Sequence, residues 1–145
     1  MGRGEEAQMN QQSFSGERAF AYMVSQVELG IRAPGAPGHE AVLDLYEAAL
    51  ETLDLVCTRQ QWEVPLSIVP EGRVTLTNLL CRIPGRGSGP CTLVSSHYDS
   101  RWIADNEEDP ALRGQPIPGA NDGGSGTAIM LELAAGLTTT RRPGM

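Results

Sequence analysis

Apolar residues recur with a helical period at the start of this chain and with a strand period further on, and this change limits the fold more than any other feature. Helices are predicted over 17–28 and 40–55, where apolar side chains return every three or four residues. The spacing then becomes alternate, as in half-buried strands. Strands are predicted over 62–66, 74–83 and 91–96. A long irregular stretch over 99–120 precedes a last helix, predicted over 124–137. In 145 residues, this order of elements predicts one α/β domain.

The same spacing predicts which side chains form the core. The helical residues predicted to face inward are Phe20, Met23, Val24 and Val27, then Val42, Leu45, Tyr46, Ala49 and Leu53, and finally Ile129, Met130, Leu133 and Leu137. In the third strand, Thr92, Leu93 and Val94 suit a central strand that is buried on both faces.

Net charge and hydropathy exclude several kinds of partner. The net charge of -7 argues against nucleic acid and anionic membrane surfaces, which need a basic patch. No apolar run approaches the roughly 20 residues that span a bilayer. Residues 1–13 are predicted to form a disordered leader, and they lack the apolar segment of a secretory signal. The chain as written is therefore expected in the cytoplasm, or in the periplasm or outside the cell if the true start lies upstream. The oligomeric state stays open.

The cysteines and one histidine are predicted to be structural. Cys57, Cys81 and Cys91 are odd in number and irregular in spacing, which is a poor disulfide framework and favours buried, reduced thiols. Cys81 and Cys91 flank a turn-rich segment and could be neighbours on adjacent strands. His39 is predicted to be a structural or exposed residue.

Two short segments carry the residues that could perform chemistry. The first, 96–100, follows the third predicted strand and contains His97 and Asp99. The second, 118–126, precedes the last helix and contains Asp122 within a glycine-rich run. Functional sites of α/β folds gather at strand carboxyl ends and helix N-termini.

These residue types suit a metal ion. The imidazole of His97 and the carboxylate of Asp122 are zinc ligands by type, and Asp99 could orient the imidazole. Each segment alone has a simpler explanation, a surface hydrogen bond for His97 and Asp99 and a turn for 121–124. Their pairing across a long polar loop makes the metal site as well supported as these simpler explanations. The sequence has no nucleophile-elbow serine, no phosphate-binding loop and no His-Glu-x-x-His helix.

Beyond these patterns, the sequence resembles the zinc-dependent glutaminyl-peptide cyclotransferases of bacterial type and, less closely, the zinc aminopeptidases of the same fold. The segments that carry the resemblance are 97–101, 104–105, 116–126 and 130–134, together with 14–19, 29–35, 78–80 and 83–85 upstream. The resemblance implies a three-layer α/β/α sandwich around a mixed sheet, the zinc exopeptidase fold. It also implies that residues 14–145 are the N-terminal part of a single catalytic domain, truncated at its C-terminal side.

The resemblance further implies roles for individual residues. Asp122 matches the aspartate that binds the single zinc of the cyclases and bridges two zincs in the aminopeptidases. His97 matches a ligand of the second zinc in the aminopeptidases, whereas in the cyclases it need not bind metal. Asp99 matches the carboxylate behind the ligands. Trp102, Asp105 and Asn121 lie in the matching loops and are expected near the substrate.

The family's general base and remaining ligands are expected beyond Met145, so no catalytic residue is assigned within this chain. The leading interpretation is an acyltransferase that cyclises N-terminal glutamine of peptides or proteins to pyroglutamate, inactive as this chain alone. One alternative is a two-zinc aminopeptidase, a hydrolase acting on the same end of its substrate. A non-catalytic fragment is the other alternative, and for the chain as given weak stability and no turnover are expected.

Overall fold

The computed structural model describes residues 14–85 and 89–139. The leader predicted over 1–13 lies outside these ranges. Within them, the elements are α1 (Gly16–Glu28), α2 (Pro37–Glu51), β1 (Cys57–Pro65), β2 (Arg73–Cys81), a π-helical turn (Ala120–Gly124) and α3 (Ser125–Thr139). The three predicted helices and the first two predicted strands are thereby confirmed, with ends that differ by a few residues. No helix in the described ranges is both long and apolar enough to cross a membrane.

Helix α1 begins where the sequence supplies a cap, but it buries a different face from the one predicted. The Ser15 hydroxyl accepts a hydrogen bond from the Arg18 amide at 3.2 Å, as an N-cap does. Phe20, predicted to be in the core, is 63% exposed, whereas Ala19 and Gln26 are buried. The prediction was wrong for Phe20 because α1 packs on α3 through small and hydrogen-bonded side chains. Gln26 accepts a hydrogen bond from Thr127 of α3 at 2.7 Å.

Helix α2 supplies most of the apolar core. It begins at Pro37, a residue suited to the first helical turn because it has no amide hydrogen to satisfy. The main apolar cluster comprises Val42, Leu43, Tyr46, Leu50, Leu55, Leu131 and Ala134. Burial raises the pKa of Tyr46 to about 12, so its hydroxyl stays protonated and donates to Gln26 and Thr127. The helix therefore joins α1 and α3 through both apolar and polar contacts.

Strands β1 and β2 form an antiparallel hairpin that a disulfide closes at its open end. The register pairs Pro65 with Arg73 near the turn and Cys57 with Cys81 at the far end. Cys57 and Cys81 are bonded to each other, and Cys91 is exposed. The prediction of three buried reduced thiols was wrong, and Cys91 does not lie on a strand adjacent to that of Cys81, as the sequence had allowed. The register is the physical reason, because it places the Cα atoms of Cys57 and Cys81 4.3 Å apart.

The third predicted strand is absent from the described residues. The sheet there has two strands, β1 and β2, and residues 91–96 have no strand assignment. Leu93 is 87% exposed, so the expectation of burial on both faces was wrong. A strand is held by backbone hydrogen bonds to a neighbour, and no segment in 14–85 or 89–139 supplies that neighbour.

Helix α3 is apolar on two sides, and one of them is covered. Its buried residues are Thr127, Ala128, Leu131, Glu132 and Ala134. Of the residues predicted to face inward, Ile129, Leu133 and Leu137 are exposed, which contradicts the prediction. The covered side of α3 packs against α1 and α2, the two other α-helices in the described ranges.

Candidate metal centre

The segment that contains His97 is extended, so its side chains alternate between solvent and interior. Ser100 is buried and Tyr98 is half-buried, with the Tyr98 hydroxyl donating to the Thr77 carbonyl at 3.0 Å. Burial raises the pKa of Tyr98, which keeps the phenol protonated. His97 and Asp99 occupy the alternate positions and lie together on the outer side. There His97 Nδ1 and Asp99 Oδ1 are 3.2 Å apart.

Glycines bring the second segment against the first. Gly119 and Gly123 have positive φ values of 66° and 86°, which residues other than glycine rarely adopt. A Cβ atom on Gly123 would lie 3.0 Å from the carbonyl oxygens of His97 and Asp99. The missing side chain therefore permits the π-helical turn to approach the extended segment closely. As a result, Asp122 Oδ1 lies 3.1 Å from His97 Nε2.

The two contacts of His97 cannot both be hydrogen bonds of a neutral imidazole. One ring nitrogen faces the Asp99 carboxylate and the other faces the Asp122 carboxylate. A neutral imidazole has one N–H donor and one acceptor nitrogen. If Nδ1 donates to Asp99, the lone pair of Nε2 faces the oxygen of Asp122, and both atoms are then of the kind that a metal ion binds.

The geometry of the pair fits zinc. Bonds of about 2.0–2.1 Å at a tetrahedral angle put two ligand atoms about 3.3 Å apart. His97 Nε2 and Asp122 Oδ1, at 3.1 Å, are close to that separation. A carboxylate on the far nitrogen of a ligating histidine is the usual support for such a ligand, and Asp99 occupies that place. His97 and Asp122 are 56% and 58% exposed, so an ion can reach them.

Two donor atoms do not complete a zinc site. No group of three or more His, Cys, Asp or Glu within 14–85 and 89–139 is arranged to hold a metal ion. The residues present therefore fit part of a zinc coordination sphere, which usually has three or four protein ligands.

The other predicted site residues each have a contact of their own. Trp102 donates from Nε1 to the Pro34 carbonyl at 3.0 Å, which fixes the long loop to the segment after α1. Asp105 pairs with Arg101 within the loop. Asn121 Oδ1 accepts from the Ser125 hydroxyl at 2.9 Å, across the start of α3. None of these contacts joins the three residues to one another, so the structure anchors them separately.

Sequence reasoning missed one buried residue that touches both segments. Arg32 has no exposed surface, and its guanidinium donates to carbonyl oxygens of both the extended segment and the stretch before the π-helical turn. Arg32 stands among small residues of a predicted loop, where an arginine is ordinarily expected at the surface. The sequence gives no further signal. His39 is also buried, beside the Tyr98 ring at 5.1 Å between centroids, which accords with a structural role.

Comparisons with known proteins agree on one class. Residues 78–144 match the family model of peptidase family M28. No curated protein sequence matches the chain. Among solved structures, Porphyromonas gingivalis glutaminyl cyclase is 27% identical with a TM-score of 0.74, covering 91% of this chain and 45% of that one. A Zn-dependent exopeptidase from Parabacteroides distasonis is 25% identical with a TM-score of 0.72, covering 93% of this chain and 45% of that one. A leucine aminopeptidase precursor from Bacteroides thetaiotaomicron is 28% identical with a TM-score of 0.71, covering 94% and 46%.

The fold is thus that of the zinc-dependent exopeptidases and glutaminyl cyclases, as the sequence predicted. Residues 78–144 carry the match to peptidase family M28, and the chain is similar over most of its length to solved exopeptidase and glutaminyl cyclase structures. It spans about 45% of the length of the solved structures that it matches. The described helices and two-stranded sheet are accordingly a part of the family's fold.

Proposed function

We propose that this chain carries part of the zinc site of an enzyme that acts on the N-termini of peptides, and that the enzyme is a glutaminyl-peptide cyclotransferase. The observation that carries the proposal is the convergence of His97 Nε2 and Asp122 Oδ1 at 3.1 Å, with Asp99 behind the imidazole. Zinc held there would act as a Lewis acid on the side-chain amide carbonyl of an N-terminal glutamine.

The chain's own residues would each have a defined part. Asp122 would ligate the ion, and its position is fixed by the glycines on either side. Asp99 would hold His97 in one tautomer by accepting its Nδ1 hydrogen. Trp102 and Asp105, on the long loop, and Asn121, beside Asp122, would contact the peptide. The anchoring of Trp102 to Pro34 supports this role, because it holds the loop in place before the substrate binds.

The second candidate function is a two-zinc aminopeptidase. A specific observation favours it, since the Nε2 atom of His97 faces Asp122 as a ligand of a second, Asp-bridged ion would. The cyclase interpretation needs one ion on Asp122, with His97 beside it and not required as a ligand. The two interpretations differ in the number of zinc ions and in the part played by His97.

We also propose that the chain by itself does not turn over. Its described residues bring together two metal donors, both more than half exposed, and zinc enzymes hold their ion with three protein ligands and a water. An ion held by two protein ligands in water is bound weakly and lacks a positioned base.

The disulfide supports the predicted location in the periplasm or outside the cell. Disulfides persist in the periplasm and outside the cell and are rare in the cytoplasm. The bond between Cys57 and Cys81 therefore favours a protein that folds in an oxidising compartment.

Zinc titration of the purified chain tests the proposed site, followed by competition with a chromophoric chelator. Asp122→Asn should abolish binding, and Asp109→Asn, an exposed aspartate of the long loop, is the matched control that should not. His97→Asn should lower the affinity modestly in the cyclase interpretation and should remove one ion in the aminopeptidase interpretation. A wild-type chain that binds no zinc, or an Asp122→Asn chain that binds it normally, would refute the site.

Mass spectrometry of model peptides tests the reaction. Loss of ammonia from a peptide with N-terminal glutamine would identify a cyclase, and release of the first residue would identify an aminopeptidase. Either result from this chain alone would refute the proposal that it is inactive. Zinc binding without either product would support it.

A further inference from the structure

Arg32 lies between the two segments that carry the candidate metal donors. Its Nε donates to the Tyr98 carbonyl at 3.0 Å, in the extended segment. Its Nη1 and Nη2 donate to the carbonyls of Pro118 and Gly119 at 2.9 and 2.8 Å, just before the π-helical turn. Its backbone amide donates to the Ser100 hydroxyl at 3.0 Å. One fully buried side chain thus spans both segments.

The environment of Arg32 is unlike that of an ordinary ion pair. Its side-chain hydrogen bonds in the described part of the chain go to carbonyl oxygens, including that of Gln26 at 3.4 Å. Burial lowers the pKa of Arg32, since desolvation disfavours the charged form. By contrast, Arg59 sits at the surface among the carboxylates of Glu40, Asp44 and Glu47. Removing a cation from water is costly, and carbonyl dipoles offset that cost less well than a carboxylate does.

The carbonyls that Arg32 binds are adjacent to the donors. Tyr98 lies between His97 and Asp99 in sequence, so the Nε contact fixes the backbone that carries both. The Gly119 carbonyl also accepts the Gly124 amide at 3.2 Å, which closes the turn around Asp122. A rigid, planar fork with five donors can hold both backbones at one separation, whereas a lysine ammonium cannot.

We infer that Arg32 is a positioning residue that sets the separation of His97 and Asp122 for metal binding. The inference rests on the proposed metal site and assigns Arg32 no contact with metal or substrate. The guanidinium fixes the two backbones, and the side chains of His97 and Asp122 follow from them. Loss of the fork would leave both side chains present but no longer held at the separation that the proposed metal site requires.

A matched pair of conservative variants tests the inference. Arg32→Lys keeps the charge but removes the fork, and Arg59→Lys makes the same change in a cluster of carboxylates that contains none of the candidate donors. Zinc affinity is measured by chelator competition at a temperature well below the thermal unfolding midpoint of each variant. It should fall about 10- to 100-fold for Arg32→Lys, as it does for other residues that support metal ligands. It should stay within about twofold for Arg59→Lys. A folded Arg32→Lys chain with wild-type zinc affinity would overturn the inference.

Two further measurements complete the test, and neither requires Arg32→Lys to bind metal. When zinc is added to the metal-free wild-type chain labelled with ¹⁵N, the Nε–H resonance of Arg32 should shift. The Nε–H resonance of Arg59 should stay in place. In metal-free Arg32→Lys, the ring ¹⁵N shifts of His97 should move, because its separation from Asp122 changes. If Arg32→Lys does not fold, the wild-type titration decides, and an unmoved Arg32 resonance overturns the inference. If the wild-type chain binds no zinc, the proposed function fails, and unchanged His97 shifts in the metal-free variant would separately overturn the inference.

Discussion

Removal of the disulfide between Cys57 and Cys81 should destabilise the chain by a predictable amount. The bond closes a loop with a sequence separation of 24 residues. The loop-entropy relation converts a loop of this length into about 3.5 kcal/mol at 25 °C, because the reduced unfolded chain regains the freedom that the bond removes. Both cysteines are half-buried and pack against the main apolar cluster, as do Leu79 and Ile83 nearby. We therefore expect the folded hairpin to survive reduction, so that most of the effect lies in the unfolded state.

Urea denaturation followed by circular dichroism, with and without a phosphine reductant, measures this difference. The double variant Cys57→Ser, Cys81→Ser should reproduce the effect of the reductant, and Cys91→Ser, at the exposed cysteine, should have none. Alkylation under denaturing, non-reducing conditions should label one cysteine, and the oxidised chain should be lighter than the reduced chain by two hydrogen atoms. Labelling of three cysteines, or a change in unfolding free energy below about 1 kcal/mol on reduction, would refute the reasoning.

Three other substitutions probe the core, the ion pair and the site. Leu43→Ala removes a fully buried side chain and should cost about 2–5 kcal/mol of unfolding free energy in urea denaturation, and a smaller loss would contradict the tight packing of the core. The hydrogen bond from Arg18 lowers the pKa of Glu132, so the stability that this carboxylate provides is complete above the ordinary pKa of 4.5 and is lost as pH falls through the lowered folded value. Glu132→Gln should therefore flatten the fall in unfolding free energy below pH 4.5, and an unchanged pH profile would refute the assignment. Gly123→Ala forces a residue with a side chain to adopt a φ of 86° and directs its Cβ atom towards the His97 carbonyl. It should lower the unfolding free energy by about 1–3 kcal/mol in thermal denaturation and weaken zinc binding. No change in either measurement would contradict the close approach of the two segments.

The sequence predicted the elements of this fold better than their contacts. The 3.6-residue and alternate periods located three helices and the hairpin, because those periods reflect local backbone geometry. The disulfide was missed, although an antiparallel pair that turns between Pro65 and Arg73 brings Cys57 opposite Cys81, eight residues from the turn on each strand. Register, unlike period, depends on where the turn falls, and the turn was not located well enough to align the strands.

The same difference between local pattern and tertiary contact applies to the candidate site. The sequence singles out His97, Asp99 and Asp122 by residue type and by their places at element ends, and the structure brings them together, while their role as a metal site stays a prediction. Arg32 was missed because its role comes from tertiary contacts with carbonyl oxygens, which any residue possesses. The roles proposed for Trp102, Asp105 and Asn121 stay predictions, since their contacts anchor the loops without showing what the side chains bind.

The errors in burial on α3 and in the segment 91–96 have a common cause. Ile129, Leu133 and Leu137 on α3, and Leu93 and Val94 in the extended segment, are apolar residues that the sequence placed in the core and the structure leaves exposed. A helix that is apolar on two sides is typical of an element with neighbours on both, and an apolar strand segment is typical of a sheet interior. Helices α1 and α2 cover one side of α3. The chain spans about 45% of the length of the structures it matches, and within 14–85 and 89–139 these apolar residues have no neighbour that buries them. The same reasoning applies to the proposed metal site, where the described residues bring together two candidate donors and zinc enzymes use three protein ligands.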